Sequence, residues 1–293
     1  MHPLLQEVSD IIISEYEKEI ALWIPCIASK NDIEILKKEC MTKSDFDPLE
    51  LRYNMWNSFE SDISTMYCFD SPYAKLICIV EDPDQIKDVP LELWLRIFKS
   101  FYDKRKTLVK FRLFFLADRT LRKMGTKIEP IGPGNINGGY TYRCHPDTIL
   151  IYRAEDATRV LLHELFHAAC CDNPELGIDQ LEAETEAWAE LLYCGWISRG
   201  TPHILIDWVK RQSDYMNKQN KKIAKRIGKE GVANKTFPWR YTIGKQEVWE
   251  RWGIFNPVEL TPKINISHSL RLTYPPPNIL KKREHIREES VIL

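Results

Sequence analysis

Residues 157–171 read ATRVLLHELFHAACC, an apolar run broken by two histidines and one glutamate. The segment before it, TILIYR (148–153), is short, largely apolar and rich in β-branched residues, and reads as a strand. Glu155, Asp156 and Thr158 then offer acidic and capping groups where a helix would begin, so a helix is expected over about 157–171. On it, His163 and His167 are four residues apart and emerge about 40° from each other, one turn along one face. Two imidazoles so placed can share one zinc ion, while Glu164 reaches the water that the ion activates without itself being a ligand. HExxH fixes only three positions and arises by chance in roughly 1–2% of such chains. Its setting, an apolar helix directly after a strand, gives it weight.

Working outward, Pro174 and Gly177 punctuate a loop, and a second helix is expected over about 179–198, holding LEAETEAWAELLYCGWI. A catalytic zinc keeps three protein ligands and one open position. The pattern HExxHxxGxxH is excluded, because Cys170 stands at its glycine and Asn173 at its third histidine. The second helix offers carboxylates instead. Glu182, Glu186 and Glu190 recur every four residues and share a face, whereas Glu184 points elsewhere. One would bind the metal, and the next along would accept a hydrogen bond from a ligand histidine and fix its tautomer. Two frames fit, Glu182 with Glu186 or Glu186 with Glu190. The small residues Ala183 and Ala187 would let the two helices approach closely, which favours the deeper contact through Glu186.

HExxH followed by Glu186, with eighteen residues between, resembles the gluzincin metallopeptidases, the thermolysin and aminopeptidase group. That resemblance implies Glu186 as third ligand, with Glu182 the alternative, and Glu190 as the carboxylate supporting a histidine. More loosely, NGGYTYR (137–143), ILIYR (149–153), VLLHELFHA (160–168) and ETEAWAE (184–190) resemble metallopeptidase-like proteins of large DNA viruses. The likeness covers about residues 107–200 and is specific only at the HExxH and EAWAE segments. It implies a substrate-binding edge strand just before the metal helix, which Ile149, Ile151 and Tyr152 would supply, with the Gly138-Gly139 loop near the cleft. It also implies a residue that stabilises the oxyanion. Tyr241, in PWRYTIG, is the first choice, ahead of Tyr140, Tyr142, Tyr215, His203 and Arg240; His145 is a further cleft candidate.

The rest of the chain sets the frame. With 293 residues, 44% of them hydrophobic, there is material for a large core. The net charge of -1 gives no bulk attraction to nucleic acid or to an acidic membrane, and no apolar window is long enough to span one. Residues 1–106 read as a helical N-terminal region, although Lys75–Val80 has the look of a strand. VKFRLFFL (109–116) reads as a buried strand, and PIGPGNINGGYTY (130–142) as a loop. The fold class expected is α+β: a zincin-like unit over 107–200 with a small sheet and two metal-bearing helices, a C-terminal helical region over 201–255, and a Pro-rich tail over 256–293, extended or mobile. The basic run Lys218–Lys229 is a solvated helix face. The eight cysteines form no CxxC pair and read as free thiols of a reducing, cytoplasmic compartment, in host cytoplasm or virion if the chain is viral. The function expected is a peptidase with one Zn²⁺ per chain, acting on a peptide or protein. The alternative is a catalytically idle zincin module that binds a protein partner in an assembly.

Overall fold

The computed structural model describes residues 1–104, 109–125, 129–258 and 269–275. In chain order the elements are α1 (Pro3–Glu17), β1 (Ile24–Pro25), α2 (Lys30–Met41), α3 (Leu51–Glu60), β2 (Thr65–Asp70), β3 (Ala74–Val80), α4 (Leu91–Lys104), β4 (Phe111–Leu116), α5 (Pro133–Ile136), β5 (Gly139–Thr141), β6 (Ile149–Ile151), α6 (Ala157–Ala168), α7 (Ile178–Ile197), α8 (Pro202–Ala233), α9 (Phe237–Tyr241) and α10 (Ile243–Arg251). The fold is α+β around one six-stranded sheet of order β1-β2-β3-β4-β6-β5. β3, β4 and β6 run parallel, and the strands flanking them pair antiparallel. The parallel step from β3 to β4 needs a crossover, which α4 supplies.

The central strands AKLICIV and FRLFFL are apolar almost throughout because both sheet faces are covered. On one face Leu76, Cys78, Val80, Leu113 and Ile149 meet Phe98 of α4 and Leu161, Leu162 and Leu165 of α6. On the other, Ile77, Ile79, Phe114, Leu116 and Leu150 meet Leu36 and Cys40 of α2 and Met55 and Trp56 of α3. The alternation of neighbours between faces is the period-two geometry of a strand. Removing Phe114 to the β-carbon would cost about 3–5 kcal/mol.

Four expectations change here. The region 1–106 is not a separate helical unit, since β1, β2 and β3 supply half of the sheet and β3 pairs with β4 across the supposed boundary. The segment Ile149–Tyr152 is not the edge. Its β6 portion is fully buried between β4 and β5, and β5 is the outer strand. Part of the supposed mobile tail is core: Leu270, Leu272 and Tyr274 are buried, and Tyr215 Oη and Gln219 Nε2 donate to the Arg271 carbonyl. Residues 259–268 and 276–293, including the charged run after Pro277, lie outside the described residues. Cys144 and Cys170 are disulfide-bonded, with Cα atoms 4.8 Å apart, contrary to eight free thiols. Among the described residues, no helix is long and apolar enough to cross a membrane.

Candidate metal centre

Asp156 stands at the N-cap of α6, but its side chain makes no capping hydrogen bond. It pairs instead with Arg271 and Arg122, and the helix start is sealed from the C-terminal segment. α7 returns antiparallel beside α6, so each turn further along α7 meets a turn earlier on α6. Glu182 therefore faces His163 and His167, while Glu186 faces Arg159 and the back of His163. Glu190 lies beyond the histidines altogether.

The resulting triangle is compact. The Nε2 atoms of His163 and His167 are 3.1 Å apart. Glu182 Oε2 is 3.4 Å from the first, and Oε1 is 3.7 Å from the second. Ligands held at about 2.0–2.1 Å in a tetrahedron stand roughly 3.3 Å from one another, so these donors can share one ion without moving far. Asp172 Oδ2 lies 3.0 Å from His167 Nδ1. A proton on that nitrogen donates to the carboxylate and leaves Nε2 with its lone pair toward the triangle. Glu186 Oε1 is 3.4 Å from His163 Nδ1, the corresponding position on the other histidine.

Glu186 was the expected ligand, and the geometry puts it one turn too deep. Arg159 Nη1 donates to Glu186 Oε2 at 2.5 Å, and despite burial that guanidinium, with His163 and Lys245, holds the carboxyl down at about 2. The small residues that suggested the deeper frame serve another contact. Ala183 faces Gly244 of α10, whose missing side chain also makes room for Trp239, and the Ala187 carbonyl accepts from Trp249 Nε1. Glu190 supports no histidine; its Oε2 accepts from Lys245 Nζ at 2.8 Å and from Thr273 Oγ1 at 3.1 Å. Glu184 points away, as its spacing required, and pairs with Arg251.

The carboxylates crowd one another. Burial pushes Glu164 up to about 7, helped by Glu182 and Glu186 and opposed by His163 and Arg159. Burial alone would lower His163, but its bond to Glu182 and the charges of Glu186 and Glu164 outweigh that and hold it at about 9.

β5 crosses above the helix. The Gly138 carbonyl accepts from Tyr152 N, and Tyr140 stands opposite Leu150. Bonded and non-bonded pairs alternate in an antiparallel ladder, so Gly139 and Thr141 turn their amide and carbonyl groups away from β6, toward the cleft. A methyl group built on Gly139 would collide with Val160 and lie 3.3 Å from Glu164 Oε1. Glycine is what lets the strand approach the carboxylate. The cleft here measures about 360 Å³. Glu39, Lys43 and Phe46, from the end of α2 and the segment after it, form one wall; Glu164, His167 and Tyr241 stand on the other.

Tyr241 is brought to the site, its ring 6.3 Å from that of His163. Burial raises its hydroxyl pKa well above the ordinary value, and Glu182 and Glu186 add to the effect. The other oxyanion candidates go elsewhere. Tyr140 is bonded to Glu39 and Arg52, Tyr142 is exposed at the rim, and Tyr215 is buried against Tyr274. Arg240 pairs with Asp179, and His203 and His145 are exposed. Sequence reasoning missed Asp172, Arg159, Arg143 and the edge strand. Arg159 had a signal, since it stands four residues before His163 on the same helix face. Asp172 stands just past the helix end, where no periodicity points to it. No family model matches this chain, and no curated protein or solved structure matches it.

Proposed function

We propose that this chain is a zinc-dependent peptidase with a zincin-type site, in which His163, His167 and Glu182 hold the metal and Glu164 is the general base. The observation that carries this reading is the donor triangle with Glu164 beside it, open to a cleft under the outward-facing edge of β5. Zinc held there would acidify a water and polarise a carbonyl. Glu164, on the same helix as both histidines, takes the proton of the attacking water and passes it to the leaving amine. Burial raises its pKa above the ordinary carboxylate range, which suits a group that must both accept and return a proton. Gly139 and Thr141 pair with an extended peptide as an added strand and lay its carbonyl over the site. Tyr241, protonated and half-buried beside His163, donates to the oxygen that gains charge.

The test joins metal content to cleavage. Protein purified without chelator should carry about one zinc per chain by elemental analysis. Peptides released from a cell extract by wild type, and not by Glu164→Gln, identify substrates. A chain that takes up no zinc, even when it is added back, would end the proposal.

A further inference from the structure

Behind His167 the chain is crossed by a covalent tie. Cys144, three residues past β5, is bonded to Cys170, two residues past the end of α6. Each neighbours part of the support for His167. Arg143 Nε donates to both oxygens of Asp172, at 3.0 and 2.9 Å, and Asp172 Oδ2 meets His167 Nδ1. The amide of Cys144 donates to the His167 carbonyl at 2.9 Å. The disulfide, the arginine, the aspartate and the histidine thus form one closed circuit joining the loop after the edge strand to the metal helix.

Two further observations concern the bond. Both half-cystines are exposed, so a reductant can reach them. Both also adopt left-handed backbone, with φ of +63° at Cys144 and +56° at Cys170. Residues other than glycine and asparagine enter that region at a cost and stay there only when their surroundings hold them. Cys170 takes its conformation from the end of α6, where its amide and that of Cys171 donate to the carbonyls of His167 and Phe166, and Cys144 takes its own in a turn closed by the His145 amide donating to the Tyr142 carbonyl.

We propose that the Cys144–Cys170 disulfide is a thiol-responsive clamp on the metal centre: when closed it holds Arg143 and Asp172 against His167, and when opened it releases them and weakens metal binding. The proposal rests on the assignment of His163, His167 and Glu182 as metal ligands. The reductant is a dithiol. Its thiolate attacks one sulfur of the exposed bond, and the departing sulfur takes a proton. The second thiol of the reductant then displaces the mixed disulfide. Two electrons pass to the protein, which gains two thiols, and the dithiol leaves as its own disulfide. Freed of the crosslink, the loop carrying Arg143 is tied to the end of α6 by hydrogen bonds alone and can shift away from Asp172. Loss of the support behind a ligand histidine lowers metal affinity about 10–100-fold; a clamp that loosens Asp172 without removing it belongs at the lower end.

The test is a Zn²⁺ titration of the full chain against a competing chromophoric chelator, in three forms: oxidised, reduced with a phosphine and then alkylated, and Cys144→Ser/Cys170→Ser. Alkylation and serine both prevent new thiols from binding the metal. The oxidised chain should bind tightest and the other two about tenfold more weakly. Asp172→Asn should be weak in either redox state, with little further loss on reduction. Equal or tighter binding by the opened forms would overturn the clamp and leave the metal site standing. No binding by any form, the oxidised chain included, would remove the metal assignment and the clamp with it. If the serine variant does not fold, the reduced and alkylated wild type carries the same comparison.

Discussion

Glu182 and Glu190 stand two turns apart on one face of α7, and both are withdrawn from water, yet they are neutralised in different ways. Glu190 has a permanent cation, Lys245, and a hydroxyl, Thr273, within hydrogen-bonding distance. Glu182 faces two imidazoles, which are cations only when protonated. A buried carboxylate with a fixed ammonium is a structural pair. One that faces only histidines, beside two more carboxylates, lacks a permanent cation, and on the reading proposed above a zinc ion supplies it. Glu186, between them, is neutralised by Arg159 and touches the back of His163, so it belongs partly to each end.

The sharpest way to break this contrast is to remove each end in turn. Glu182→Ala should lose stoichiometric zinc, while Glu190→Ala keeps about one zinc per chain. Elemental analysis of the two variants reversing that order would show the ladder has been assigned backwards. Next in size is Glu164→Gln, which touches neither end. Zinc and fold should survive while hydrolysis falls about 10²–10⁴-fold, the usual range for losing a positioned base. A rate near wild type in single-turnover assays would remove Glu164 from its role. Glu190→Ala should then show its own cost as stability. It leaves Lys245 buried without its carboxylate, a loss of about 3–5 kcal/mol in urea unfolding. Glu190→Ala/Lys245→Met should recover part of it; no recovery would mean that the pair is not what stabilises that end. Glu186→Gln should weaken zinc about 10–100-fold, an intermediate result for the intermediate turn. Smallest is Glu184→Ala, an exposed pair with Arg251, expected within about 0.5 kcal/mol and with unchanged zinc.

The same face shows what sequence can and cannot say. The period of four put Glu182, Glu186 and Glu190 on one stripe and Glu184 off it, because helix geometry is local. Which turn reaches the histidines depends on how far the chain travels before α7 turns back. The clue used, the small residues Ala183 and Ala187, belongs to the packing of α10 and Trp239. Composition already separates the edge strand from the interior one. ILI is apolar on both sides and suits the interior of a sheet, whereas GYT, half-buried and glycine-led, suits its rim. β2 and β3 form a local hairpin, but β1 pairs with β2 and β3 with β4 across long stretches of chain, and nothing in a local window reveals such pairing. HExxH stood out because all of its geometry is carried within two turns of one helix.

The segment 269–275 carries a consequence in time. Arg271 pairs with Asp156 at the first turn of the metal helix, and Thr273 bonds Glu190. A ribosome makes that helix more than a hundred residues before it makes Arg271, an interval of roughly 5–25 s at ordinary synthesis rates. Until then the histidine pair is offered to the cell on a helix whose start is unsealed. Metal loading is therefore expected to follow synthesis of this segment. Stalled chains ending before Ser269 should fail to keep zinc that chains extending past Pro275 retain, so a segment made late decides whether the proposed ligands hold.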